Sequence, residues 1–291
     1  MRVMTTIQKG LLTAFMVMIG LVLLFPIMIT FTNSLMAGQE LRINYGVIGK
    51  LTDVTSTGAE TFINLKWLPD KVTLEQYGEL LVHSPYYLLL FWNSVGLVVP
   101  IIIGQTVVAA LAAYAFAKLK FRGRDSLFLV YLLTMLMPFQ VTLVPNYIMA
   151  DKLGLLHTSG AVILPGVFAA FGVFMLRQFM LHIPYAYIEA AKIDGAGHLR
   201  TFLTVILPMV KPGLAALVIL LFVDNWNMVE QPLIFIDNPM KQPLSVFLSR
   251  LSGEWDTVFA ASMLYMSPMV LLFLYAETYF IEGVQLSGIK G

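Results

Sequence analysis

The chain has 291 residues, of which 58% are hydrophobic and 12% are charged, and its formal net charge is +1. A soluble domain has about a quarter of its residues charged, so this chain has too few charges to cover a water-facing surface. The near-zero net charge creates no field that attracts nucleic acid, and without cysteine the chain has no disulfide or thiol chemistry. The sequence therefore predicts an all-α integral membrane protein.

Six apolar runs approach or exceed the length of about 20 residues that a bilayer-spanning helix needs. We predict spans at Gly10–Phe31, Tyr86–Phe116, Ser126–Ile148, Ser159–Phe179, Leu214–Ile236 and Thr257–Ile281. Most of the lysines and arginines lie before the first run, between the second and third, and between the fourth and fifth. By the positive-inside rule, this distribution predicts six transmembrane helices with cytoplasmic N- and C-termini.

The predicted spans divide the chain into three parts. Residues 1–31 form the cytoplasmic N-terminus and first span, residues 32–85 an external segment, and residues 86–291 a five-helix core with a cytoplasmic loop at about 180–211. The external segment is either a packed lid over its own spans or a contact for an external partner. Proline or glycine interrupts four of the six spans, which favours a cavity-forming bundle over a rigid anchor.

No motif for catalysis is present in the sequence. It contains no G-x-x-x-x-G-K-[ST] loop, no H-E-x-x-H, no G-x-S-x-G and no metal-ligand spacing among its four histidines. The chain is therefore expected not to be an enzyme. If ATP drives transport, the ATPase is another polypeptide.

The loop between the fourth and fifth spans has local helix signals. Pro184 favours a helix start, Glu189–Lys192 are strong helix formers, and Gly195 and Gly197 favour termination. The pattern predicts a short cytoplasmic helix, then a second helix leading into the fifth span, and such a piece suits contact with a soluble partner. The alternative is an amphipathic helix lying on lipid, which the small Ala190 and Ala191 fit poorly.

This loop resembles the E-A-A…G…I-x-L-P loop of ABC importer permeases. Glu189-Ala190-Ala191 is followed by Gly195 and by Val205-x-Leu207-Pro208, with Val205 in place of the usual isoleucine. Further segments are similar to the sugar-importer branch, in particular to the maltose-type second permease: Asn93-Ser94, Ala113–Ala117, Phe121-Arg122-Gly123, the Pro138 and Pro145 pair, and the glycines from Gly283 to Gly291.

The resemblance implies the type I ABC importer permease fold in a bacterial plasma membrane, as a multi-pass protein. It implies a heterodimer with a second homologous permease, two ATP-binding subunits and an extracellular substrate-binding protein. ATP and Mg²⁺ would be bound by the ATPase, and no cofactor by this chain. The residues expected to couple to the ATPase are Glu189, Ala190, Ala191, Lys192, Asp194, Gly195 and Ala196. The C-terminal residues expected to contact the ATPase are Gly288, Ile289, Lys290 and Gly291.

The fifth predicted span carries a polar cluster that is a candidate substrate path. Polar groups inside a span usually face the bundle interior or a cavity. The cluster consists of Asp224, Asn225, Trp226, Asn227, Glu230 and Gln231. On a continuous helix Asp224, Asn227 and Gln231 would share one stripe, and Trp226 would be available to stack on a sugar face. The alternative is an interhelical hydrogen-bond network.

The leading interpretation is the permease subunit of an ATP-driven, binding-protein-dependent importer for a carbohydrate or oligosaccharide. The alternatives are an ABC permease for a non-sugar ligand and a stand-alone secondary carrier. The Glu-Ala-Ala loop indicates coupling and does not identify the ligand.

Overall fold

The structure, a computed structural model, describes residues 6–45, 65–251 and 256–288, and the regular secondary structure of these residues is helical. The α-helices are α1 (Thr6–Asn33), α2 (Gly38–Tyr45), α3 (Glu75–Gly78), α4 (Pro85–Lys118), α5 (Arg124–Met135), α6 (Phe139–Lys152), α7 (Gly160–Val167), α8 (Ala170–Leu181), α9 (Ala186–Ile193), α10 (His198–Thr201), α11 (Leu207–Met209), α12 (Lys211–Trp226), α13 (Glu230–Phe235), α14 (Leu244–Arg250) and α15 (Val258–Gly288). The π-helices Glu79–His83 and Phe202–Ile206 extend α3 and α10, and Pro239–Lys241 is a 3₁₀-helix.

Four segments of the described residues are long and apolar enough to cross a membrane: Ile7–Asn33, Pro85–Lys118, Gly160–Leu181 and Val258–Glu277. They coincide with the first, second, fourth and sixth predicted spans. The total reaches six if each of two bent helix pairs forms one span. The all-helical membrane fold is therefore confirmed, and the exact number of spans stays a prediction.

The third and fifth predicted spans are not straight helices. Helices α5 and α6 meet at 100°, and Pro138 at the break has the extended backbone (φ −60°, ψ 143°) that precedes α6. The segments His198–Met209 and Lys211–Trp226 meet at 77°. The prediction of a continuous helix over Leu214–Ile236 is wrong, because α12 ends at Trp226 and α13 begins at Glu230.

Within the described residues, one compact unit joins the chain up to Leu88 with the segment that begins at Arg250 and ends at Ser267. Its core is built by Met36, Leu41 and Tyr45, whose ring lies 5.3 Å from that of Phe259. The buried Gln76 Nε2 donates to the carbonyl oxygens of Met36 at 2.6 Å and Asn33 at 3.0 Å.

An ion pair on the surface of the same unit joins α2 to the residues just before α15. The hydrogen bond to Asp256 raises the pKa of the Arg42 guanidinium above its usual value. The described parts of the predicted external segment thus pack against the chain's own α15, and residues 46–64 lie outside the described part.

The second unit contains the chain from Leu89 to Ser249 and the second half of α15. Its larger apolar cluster is formed by residues of α4, α8, α12 and the connection between α8 and α12, among them Ala113, Leu176 and Leu217. A smaller cluster joins α4 to α6, α7 and α13, with Ile101, Ala161 and Phe235 at its centre.

Two glycines bring α7 and α8 unusually close to α4. A Cβ on Gly172 would lie 2.9 Å from the Ala109 Cβ, and a Cβ on Gly166 would lie 2.9 Å from Ile101 Cγ2. Small residues allow such close contact between helices in membranes, where dispersion rather than water exclusion drives association. This contact sets the position of α4 beside the cavity described below.

Candidate functional site

The predicted short surface helix is α9, Ala186–Ile193, and it ends in a Schellman motif. Gly195 has a φ of +77°, the left-handed conformation that glycine adopts at no cost. Its N–H donates to the Lys192 carbonyl at 3.0 Å, and the Ala196 N–H donates to the Ala191 carbonyl at 2.9 Å. The predicted termination at Gly195 is confirmed. Gly197, also predicted to end the helix, instead precedes α10 as its N-cap residue.

The inner face of α9 packs in the larger apolar cluster, and a buried cation of α4 binds the chain just before α9. Ile188 is 2% exposed and packs in the larger cluster with Phe202 and Tyr114, whose rings lie 5.2 Å apart. The buried Lys118, the last residue of α4, donates from Nζ to the Ile183 carbonyl at 2.5 Å. These contacts connect α9 and the residues just before it to the end of α4.

The outer face of α9 is open to solvent. Among the residues expected to couple, Glu189, Ala190, Lys192, Asp194 and Gly195 are exposed and Ala196 is half-buried. Ala191 is only 8% exposed and lies on the inner face, and its expected contact with an ATPase stays a prediction. The adjacent Ile193 is 87% exposed and had not been identified from the sequence. The C-terminal contact with the ATPase was expected at Gly288, Ile289, Lys290 and Gly291. Gly288 is the last residue of α15, and Ile289, Lys290 and Gly291 lie outside the described residues.

A cavity of about 1130 Å³ lies in the same unit, between α4, α6, α7 and the α12–α13 connection. Five of the six residues proposed for the substrate path line it: Asp224, Asn225, Asn227, Glu230 and Gln231. These residues belong to the end of α12, the start of α13 and the connection between them. The prediction that they form one stripe on a continuous helix is therefore wrong. Gln140 Nε2 of α6 donates to Glu230 Oε2 at 3.3 Å and links the two sides of the cavity.

Trp226, the sixth residue proposed for the substrate path, is not among the residues that line the cavity. It is 2% exposed, it stacks on Phe222 with ring centroids 5.1 Å apart, and it meets Phe91 edge-on at 5.7 Å. Since its ring is covered on these sides, the prediction that it stacks on a sugar is wrong for this conformation. It is a packing residue that fixes the end of α12.

The chain from residue 86 to residue 284 matches the family model described as "Binding-protein-dependent transport system inner membrane component". This match covers more than half of the chain, including α4 to α14 and most of α15. The chain belongs to this family.

Several relatives of this chain are named as permease proteins of transport systems. The arabinooligosaccharides transport system permease protein AraQ of Halalkalibacterium halodurans is 31% identical over 79% of this chain and 84% of the relative. AraQ of Bacillus subtilis is 28% identical over 98% and 97% of the two chains. The sn-glycerol-3-phosphate transport system permease protein UgpE of Yersinia enterocolitica is 33% identical over 69% and 73%.

A solved structure shares the fold of the permease. A chain of a bacterial ABC transporter involved in the import of the acidic polysaccharide alginate superposes with a TM-score of 0.76. The match covers 96% of this permease and 100% of that chain, and 22% of the residues are identical. The type I ABC permease fold expected from the sequence is therefore confirmed.

Sequence reasoning missed three polar residues that line the cavity: Gln105 of α4, and Thr142 and Asn146 of α6. A signal was available for Gln105, because an amide in the middle of an apolar span is costly unless it serves a contact. Asn146 gave a weaker signal, since it lies next to Pro145 at a position where a helix was expected to be interrupted.

Proposed function

We propose that this chain is the permease subunit of an ATP-driven, binding-protein-dependent importer of carbohydrates, and that it forms half of the translocation path. The carrying observation is the family match over residues 86–284, together with an exposed α9 that packs in the same apolar cluster as α4. A second permease would complete the path, two ATP-binding subunits would dock from the cytoplasm, and an extracellular binding protein would deliver the ligand.

Coupling to the ATPase would pass through the outer face of α9. The exposed Glu189, Lys192 and Ile193 offer a carboxylate, a cation and an apolar side chain within two turns of helix. Ile188 packs α9 into the larger cluster, and Lys118 of α4 binds the Ile183 carbonyl just before α9, so movement of a docked subunit would be passed on to α4. ATP and Mg²⁺ would be bound entirely by the partner.

A carbohydrate ligand is supported by the relatives and by the cavity. The AraQ and UgpE names refer to arabinooligosaccharides and to sn-glycerol 3-phosphate, so the ligands in the names of these relatives range from neutral sugars to a polyol phosphate. The cavity is lined by amides and carboxylates, groups that accept and donate hydrogen bonds to hydroxyls. Its volume of about 1130 Å³ exceeds the several hundred Å³ of a typical small-molecule site and suits an oligosaccharide.

The test is co-purification of the tagged chain from its native membrane in mild detergent, followed by ATP-dependent sugar uptake in proteoliposomes. Ile193→Asp should release the ATPase subunits, because it places a charge in a docked apolar contact. Met240→Asp is the matched control: it makes the same chemical change at a residue that is 56% exposed and predicted to be external.

The proposal predicts that wild type and Met240→Asp retain both a second permease and the ATPase, and that Ile193→Asp loses the ATPase. If the wild-type chain purifies alone and catalyses transport without ATP, the chain is a self-contained carrier. ATP-driven uptake of an amino acid or metal, with no sugar transported, would instead favour the importer of a non-sugar ligand.

A further inference from the structure

Gln105 is a buried residue that lines the cavity, and its side-chain amide has hydrogen-bonding groups that no other described residue uses. Its side chain is 2% exposed, and it lines the cavity opposite the α12–α13 connection. Within the described part of the chain its amide forms no hydrogen bond, although an amide offers two donors and an acceptor. Because Gln105 lines the cavity, its amide is a hydrogen-bonding group available to a molecule inside the cavity.

The position of Gln105 along α4 places its amide far from the end of the helix. It lies 13 residues before Lys118, or about 20 Å along the helix axis, within the span of about 30 Å that hydrocarbon occupies. The close contact of Gly172 with Ala109 brings α8 beside the amide, and a Cβ on Gly172 would lie 3.5 Å from Gln105 Nε2. The neighbouring helix thus restricts the side chain on one side, and the cavity is open on the other.

The charged residues among those that line the cavity are all acidic. Asp224 and Glu230 line it, and among the described lining residues none is a lysine, arginine or histidine. Two carboxylates with no cation beside them repel an anionic ligand, and the repulsion is stronger in a site partly shielded from water. Hydroxyl groups, in contrast, donate to carboxylates and both donate to and accept from amides.

We propose that Gln105 is a ligand-binding residue of this cavity and that Gln105, Asp224 and Glu230 together select uncharged oligosaccharides over phosphorylated or uronic-acid sugars. This inference rests on the proposed function and narrows the ligand class that the relatives leave open. The Gln105 amide binds a sugar hydroxyl on the α4 side, and the two carboxylates accept from hydroxyls on the α12–α13 side. The ligand replaces the hydrogen bonds that the amide lacks within the chain.

The test uses the complete membrane complex in lipid nanodiscs without the binding protein, so that only the permease path selects the ligand. Equilibrium binding is measured with radiolabelled arabinotriose and maltotriose as neutral probes and with trigalacturonate as an anionic probe of the same length. We expect at least one neutral trisaccharide to bind at least tenfold more tightly than trigalacturonate. Gln105→Leu should weaken neutral binding roughly tenfold, the worth of one hydrogen bond in a desolvated site.

Thr106→Val is the matched control, because it removes a buried hydroxyl without a partner from the adjacent position, and Thr106 does not line the cavity. It should leave binding unchanged. The double variant Asp224→Asn with Glu230→Gln should reduce the preference for neutral sugar. Equal binding of trigalacturonate, no binding of any neutral probe, or equal effects of Gln105→Leu and Thr106→Val would overturn the inference.

Co-purification of the ATPase and ATP-dependent uptake are measured on the same preparation. If the ATPase is absent or uptake does not need ATP, the proposed function fails. If both are present and the anion binds as tightly as the neutral sugars, only the assignment of the ligand class fails.

Discussion

Variants of Gly195 distinguish the stability of the α9 region from the proposed contact of this region with an ATPase. Its φ of +77° costs an L-residue about 1–2 kcal/mol, whatever the size of the side chain. A Cβ at this position would meet no atom within 4 Å in the described structure, so a larger side chain adds no internal clash. Gly195→Ala and Gly195→Leu should therefore destabilise the isolated permease equally, and Gly195→Asn less, because asparagine tolerates the left-handed region.

The two variants should differ only when the ATPase is present. If residue 195 faces a cleft of the ATPase, leucine fills space that alanine leaves free, and overpacking of an interface costs about 1–3 kcal/mol. A 2 kcal/mol loss corresponds to roughly a thirtyfold weaker complex. The assay compares the thermal unfolding midpoint of the purified permease with the ATPase retained on the tagged chain and with ATP-dependent uptake.

The reasoning predicts equal unfolding midpoints for alanine and leucine, and much less ATPase retained by the leucine variant. A much lower midpoint for leucine than for alanine would show that the space around Gly195 is not open. Equal retention of the ATPase by both variants would show that residue 195 lies outside the interface.

Three further predictions concern packing. Lys118→Met should loosen α9 and cost about 1.5–3 kcal/mol, because it removes the charged donor to the Ile183 carbonyl; faster tryptic cleavage at Lys192 checks this, and unchanged cleavage contradicts it. Gly172→Ala should lower the unfolding midpoint by overpacking against Ala109, and Ala109→Gly in the same chain should restore it; additive losses would refute the contact. Gln76→Leu should cost about 1–3 kcal/mol, since it removes the side-chain donor to the Met36 carbonyl and one of the two donors to the Asn33 carbonyl, while ATPase retention stays normal. An unchanged midpoint would refute that role.

The sequence predicted most reliably what depends on local rules. Apolar length located α1, α4 and α15, because about 20 apolar residues have no other stable environment than a bilayer. Gly195 was identified as a helix end because a glycine after strong helix formers is the usual site of a left-handed residue, and the structure shows that conformation.

The break between α12 and α13 was missed because the apolar character of the sequence continues across it. Two local signals were present. Asn225 and Asn227 each donate from the side chain to the carbonyl four residues earlier, at 2.8 and 2.7 Å, an arrangement that competes with the backbone pattern of a helix. Pro232 is the third residue of α13, within the first turn where a missing N–H costs nothing, and it is therefore more consistent with a new helix than with a continuous one.

The cavity could not be predicted from any single element, because it forms where separate elements meet. Asp224 and Glu230 come from the two sides of the break, and Gln105 comes from a helix more than 100 residues earlier in the chain. On α4 alone, one amide among apolar residues is indistinguishable from a residue that pairs with a neighbouring helix. The close contact at Gly172 and the break after Trp226 place the amide and the carboxylates around one space. The break that refuted the predicted helix is thus the feature that gives the cavity its polar wall.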